Sequence, residues 1–124
     1  MPTLKSADDS ECRDRADAGP SPLAALNDAF RRSFSGGRVM LTRGVAELPV
    51  LERCAVLASV RAFDAFTAGN DPYGEHDFGA VEHGGKRYFW KIDYYDRELT
   101  YASPDPINPA VTTRVQTIMR ADEY

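Results

Sequence analysis

The stretch HDFGAVEHGGKRYFWKIDYYD, residues 76–96, decides the fold. Two runs rich in aromatic and β-branched side chains flank the pair Gly84–Gly85, and glycine accepts the positive φ that a two-residue type I′ turn requires at both positions. With that pair at the turn, Glu82 faces Arg87, Val81 faces Tyr88, Gly79 faces Trp90, Asp77 faces Ile92 and His76 faces Asp93. Strand alternation then puts Tyr88, Trp90, Ile92 and Tyr94 on one side with Val81, Gly79, Asp77 and Glu75, the side expected to carry helices. Arg87, Phe89, Lys91, Asp93 and Tyr95 take the other side with Phe78 and His76. Gly79 opposite Trp90 leaves bare backbone under the indole.

Upstream, SPLAALNDAFRRSFSGG (21–37) has a capping Ser21, Pro22 at the first helical position, and Leu23, Leu26, Phe30 and Phe34 at helical spacing. RVMLT (38–42) is short and strand-like. A second helix over roughly 50–66 is apolar nearly all round, which predicts a central core helix with Cys54 inside it. TAGNDPYGE is turn chemistry. Downstream, ELTYAS is expected to add a third strand. Asn108 and Pro109 are expected to start a last helix whose stripe is Val111, Val115, Ile118 and Met119. Strands and helices in separate runs define an α+β class: a three- or four-stranded antiparallel sheet built on the hairpin, with about three helices on one face. Residues 1–20 are polar and acidic and are expected to form a flexible leader to a single domain over 21–124.

The 124 residues are 43% hydrophobic and 27% charged, an ordinary globular composition. No run is long and apolar enough for a membrane span, and the amino terminus lacks a signal-peptide pattern, so cytoplasmic residence is expected. Cys12 and Cys54 make an improbable disulfide, and two cysteines with two histidines argue against a structural zinc site; no cofactor or metal is expected. The net charge of −4 disfavours direct nucleic-acid binding and suits docking on a basic protein groove.

In the hairpin register His76 and Asp93 are neighbours, with Lys91 diagonal to the histidine. A carboxylate beside an imidazole is how an enzyme orients a general base, and the same pair is also a common cross-strand ion pair. No nucleophile lies nearby in sequence, which weighs toward the structural role. Asp77, on the covered side, needs a partner, for which the amides of the NDPYG loop or the Tyr94 hydroxyl are the candidates.

NDPYGEHDFG, WKIDYYD and SPDPINPAVTTRVQTIMRADEY resemble hallmark stretches of the bacterial domain-of-unknown-function family 3768, over roughly residues 24–124. Gln116 and Arg120 stand where a more apolar last helix is expected. The resemblance carries over no catalytic residue. It implies a setting on plasmids and other mobile elements, where small acidic proteins often inhibit host defence nucleases.

Two functions follow as expectations. One is a non-enzymatic inhibitor of anti-CRISPR or anti-restriction type, docking on a basic partner through Glu75, Asp93, Asp96 and Asp105. The other is a small hydrolase or transferase with His76 as base, Asp93 as its orienter and Lys91 stabilising an anion. A transcriptional regulator fits poorly, because no basic recognition helix is visible.

Overall fold

In the computed structural model, which describes residues 20–124, four strands form one sheet in the order β1-β4-β3-β2. β1 is Gly37–Leu41, β2 Phe78–His83, β3 Lys86–Tyr95 and β4 Thr113–Arg120. The helices are α1 (Pro22–Ser33), the single-turn α2 (Arg43–Ala46) and α3 (Val50–Ala62). The leader expected over residues 1–20 lies outside the described residues except for Pro20, and Cys12 lies there with it. No described helix is long and apolar enough to cross a membrane.

The hairpin forms as its glycines demand. Gly84 and Gly85 have φ of 61° and 79°, and β2 pairs with β3 from His83↔Lys86 out to Phe78↔Lys91. Trp90 is fully buried over Gly79, where an added Cβ would lie 2.6 Å from the indole Nε1. A side chain there would force one of the two strands to move, an overpacking cost of about 1–3 kcal/mol. Tyr88, Trp90 and Ile92 meet Phe30 of α1, Val45 of α2, Val56 and Val60 of α3, and Ile118 of β4 in one core on one side of the sheet. On the opposite side Phe78 and Phe89 lie beside the carboxy-terminal Tyr124, with ring centroids 5.3–5.8 Å from it. Ser21 caps α1 through its side chain, as its sequence requires.

Four expectations are corrected. Residues 113–120 form a strand, β4, and not a helix. Only Pro109–Val111 coil, as one 3-10 turn, with the Asn108 side chain accepting from Ala110 N. Thr113, Val115, Thr117 and Ile118 are β-branched, and the strand lies at the centre of the sheet, antiparallel to β3 and parallel to β1, so pairing on both sides outweighs the helical spacing of its apolar residues. The sheet is therefore mixed. ELTYAS makes no strand, only an isolated bridge between Tyr95 and Ala102. In α3 only Val56 and Val60 are fully buried, while Leu51 is 81% exposed. The helix is a surface element, and Cys54 is an exposed free thiol rather than a core residue.

Candidate functional site

The turn chemistry of residues 67–77 ends β2 two residues before the hairpin register reaches His76. The Asp71 carboxylate accepts from the main-chain N–H of Glu75 (3.1 Å) and of His76 (3.3 Å), and so holds His76 at a φ of 57°. A left-handed non-glycine residue breaks strand alternation. The His76 ring turns under the helices: it stacks on Phe66 at 3.8 Å with 1° between the planes, and Nδ1 lies 3.0 Å from each oxygen of Asp28 on α1. Asp93 projects from the opposite side of the sheet, between Ile92 and Tyr94, and pairs with Lys91 at 3.1 Å.

The expected His76–Asp93 neighbourhood is therefore not formed. Pairing continues past Phe78 by a single bond, from Ile92 N to Asp77 O (2.8 Å), and then the chain turns away. His76, Asp93 and Lys91 do not converge, and they make no joint site. The histidine instead sits in a carboxylate clamp, with Asp28 on Nδ1 and Asp71 3.6 Å from Nε2. Both ring nitrogens face acids and one ring face is covered, which leaves little of the imidazole for a substrate proton.

Asp28 belongs to a polar core that the sequence pattern did not disclose. Asn27, Asp28 and Arg31 occupy the inward side of α1, and all three are buried. Arg31 is fully enclosed. Its Nη1 donates to Asp28 (2.9 Å), its Nη2 donates to Phe63 O (2.9 Å), and its guanidinium lies 5.1 Å from the Trp90 ring and 5.3 Å from Phe66. Pairing of both terminal nitrogens and two aromatic faces stabilise this buried cation, while its Nε has no hydrogen-bond partner among the described residues. The signal in the sequence was an Asn-Asp pair with an Arg one turn later, in register with the buried Ala24.

A second network runs from Asn27 into the sheet. Its amide donates to Glu75 O (2.9 Å) and to the Tyr94 hydroxyl (2.8 Å), and its carbonyl accepts from Arg114 Nε (3.0 Å). Tyr94 donates in turn to the Glu75 carboxylate. Arg114 also donates to Pro106 O and lies over the Tyr94 ring. One arginine of β4 thus joins α1, β3 and the following connector. Burial pushes the Tyr94 phenol well above its ordinary range and draws the Arg114 guanidinium down.

Asp77 lies on the covered side as expected, but its expected partners are taken: the loop amides by Asp71 and the Tyr94 hydroxyl by Glu75 and Asn27. Burial, and then the neighbouring Glu75, raises its carboxyl above the usual value. Although carboxylates gather here, no three or more His, Cys, Asp or Glu among the described residues are placed to hold a metal ion.

The expected docking acids separate. Glu75 points inward to Tyr94 and is withdrawn from any rim. Asp96 and Asp105 order the connector between β3 and β4, through Thr100 N to Asp96 (2.9 Å) and Ile107 N to Asp105 (3.4 Å). Asp93 stands on the open side of β3 just before this connector. The connector's apolar side chains are the part that was missed: Leu99, Tyr101 (73% exposed) and Ile107 (48% exposed) are open to solvent, as is Tyr95 at the end of β3. The signal was available in LTYAS and DPINP, large apolar residues set in turn chemistry that cannot place them in a core.

Together these features define an α+β protein with helices on one side of a mixed sheet, a polar knot under the helices, and an aromatic, acid-bordered connector outside. The chain belongs to the family described as "Protein of unknown function (DUF3768)", whose profile matches residues 41–123, more than half of the sequence. Glu75, His76, Tyr94, Arg114 and the connector fall inside the matched span, and α1 with Asn27, Asp28 and Arg31 falls before it. No curated protein and no solved structure matches the chain.

Proposed function

We propose that this protein is a non-enzymatic binding protein whose connector, residues 96–108, docks on a basic surface of a protein partner. One observation carries the reading: Leu99, Tyr101 and Ile107 are exposed next to Asp96, Glu98 and Asp105. Protein interfaces centre on aromatic and aliphatic anchors that are buried on docking, with charge at the rim to set orientation and on-rate. The His76 clamp supports the same reading, because its polar groups are directed at one another. Asp93 extends the acidic rim, and Glu75 does not. The partner class we favour is a nucleic-acid-handling complex of host defence, of the kind inhibited by anti-restriction or anti-CRISPR proteins, since its working groove is basic.

The test is inhibition of purified restriction endonucleases and CRISPR effector complexes by the full chain, at rising salt. Inhibition that weakens with salt, and that is lost in Tyr101→Ser/Ile107→Ser while the unfolding midpoint holds, is the expected result. Inhibition that the double substitution leaves untouched would show that the connector is not the docking surface. Absence of both inhibition and binding across such complexes would sink the partner class.

A further inference from the structure

The geometry points to a binding site for a dianionic phosphate group in the hollow where β1 and β4 begin. The hollow has a volume of about 360 Å³ and is lined by Gly36, Gly37, Arg38, Arg97, Thr112 and Thr113. Two guanidiniums and no carboxylate line it, in a chain whose net charge is −4. Among the described residues neither arginine has a carboxylate partner within ion-pair distance. The only hydrogen bond Arg97 makes there, from Nη1 to Pro109 O (3.3 Å), holds its side chain against the wall.

The local sequence builds this place. Gly36 has a φ of 99°, and at Gly37 an added Cβ would lie 2.5 Å from Arg114 O and 2.8 Å from the Phe30 ring. Only a glycine pair brings the main chain this close to the start of β4, and the next residue, Arg38, is carried to the open side of the sheet opposite Val115. The Thr112 hydroxyl is committed to Asp105 O and Ser103. The Thr113 hydroxyl and the Gly36 N–H have no hydrogen-bond partner among the described residues. Two forked cations, a hydroxyl and a glycine N–H suit the several acceptor oxygens of a tetrahedral oxyanion better than the two of a carboxylate. The hollow is open to solvent, so an organic group that carries the phosphate can extend outward from it.

The experiment is a titration of the ¹⁵N-labelled full chain, at chloride-matched ionic strength, with inorganic phosphate in one arm and ribose 5-phosphate in the other. Saturable shifts confined to the amides of Gly36, Arg38 and Thr113 are expected, with affinity falling about tenfold in Arg38→Gln and in Arg97→Gln, the loss typical of one charged hydrogen bond. Both arginines are exposed, so the unfolding midpoint should be unchanged. Tighter saturation by ribose 5-phosphate would assign the site to an organic phosphomonoester, and equal or tighter saturation by inorganic phosphate would assign it to the free ion. Absence of saturable shifts in both arms, or shifts equally large in the two variants, would overturn the proposal. Because the hollow shares only Arg97 with the connector and none of its apolar anchors, this result is independent of the docking test.

Discussion

At the residue scale, the informative side chains are polar groups placed where apolar ones are usual. Gln116 is fully buried on the helix side of β4, and neither its amide nitrogen nor its oxygen has a hydrogen-bond partner among the described residues. Gln116→Met keeps the volume, loses no hydrogen bond to the described residues and removes the desolvation cost, so stability should rise by about 1 kcal/mol, measured as a higher urea midpoint. A lower midpoint would refute this account of the amide. Asp77 argues in the same direction through pH. Its folded carboxyl is raised by burial and by Glu75, so ionisation costs more in the folded than in the unfolded state. The penalty is present above the folded value and is relieved as pH falls through it toward the unfolded value of 3.8. Asp77→Asn should therefore stabilise the protein at neutral pH, with the gain over the parent shrinking to nothing in acid. A gain that is independent of pH would contradict it. The sequence correctly assigned Asp77 to the covered side by strand alternation. The sequence could not show that His76 leaves the strand, because the cause is a carboxylate five residues earlier that captures its N–H.

At the element scale, the hairpin was legible because its turn chemistry and its period agree, down to the Gly79–Trp90 contact. β4 was not legible, because its buried side carries Arg114 and Gln116 and so hides the alternation, while Val111, Val115, Ile118 and Met119 mimic a helical stripe. Its identity as a strand is settled by two neighbours, one of them far away in sequence. The end of β4 is fixed by a single acid. The Glu123 carboxylate accepts from the Thr42 hydroxyl (2.6 Å), from Gly44 N (2.7 Å) and from Arg120 N (2.8 Å), joining the carboxy terminus to the β1–α2 junction. These bonds, the Thr42 hydroxyl first, hold its carboxyl below the usual glutamate value. For a depressed acid the stabilisation is complete above the unfolded value of 4.5 and is lost as pH falls through the folded one. Amide exchange at Gly44 should accordingly speed up in acid relative to Trp90. Glu123→Gln should show the fast exchange already at neutral pH. Equal protection of Gly44 in parent and variant would refute the tie.

At the scale of the whole molecule, the helices are attached to the sheet by charge as well as by apolar packing. Phe30, Val45, Val56 and Val60 meet the strands, yet the deepest link between α1 and the loop before β2 is the series Arg31–Asp28–His76. Composition discloses the layers of an α+β fold but not this bond between them, since an Asp and an Arg at helical spacing are ordinarily a solvated pair. Exposed pairs such as Arg43–Glu47 contribute roughly 0.5 kcal/mol at most. The buried pair behaves differently, because removing one member strands the other in a place without water. Asp28→Asn deprives the Arg31 cation of its only carboxylate among the described residues and should cost about 3–5 kcal/mol. Adding Arg31→Met removes the stranded charge, and its methylenes and sulfur can occupy the space between Phe66 and Trp90. The double variant should then be more stable than Asp28→Asn alone, and the cycle of urea midpoints should depart from additivity by about 1 kcal/mol or more. Additive losses would mean that the two side chains act separately, leaving the Asn27 network and the apolar residues to hold α1 to the sheet.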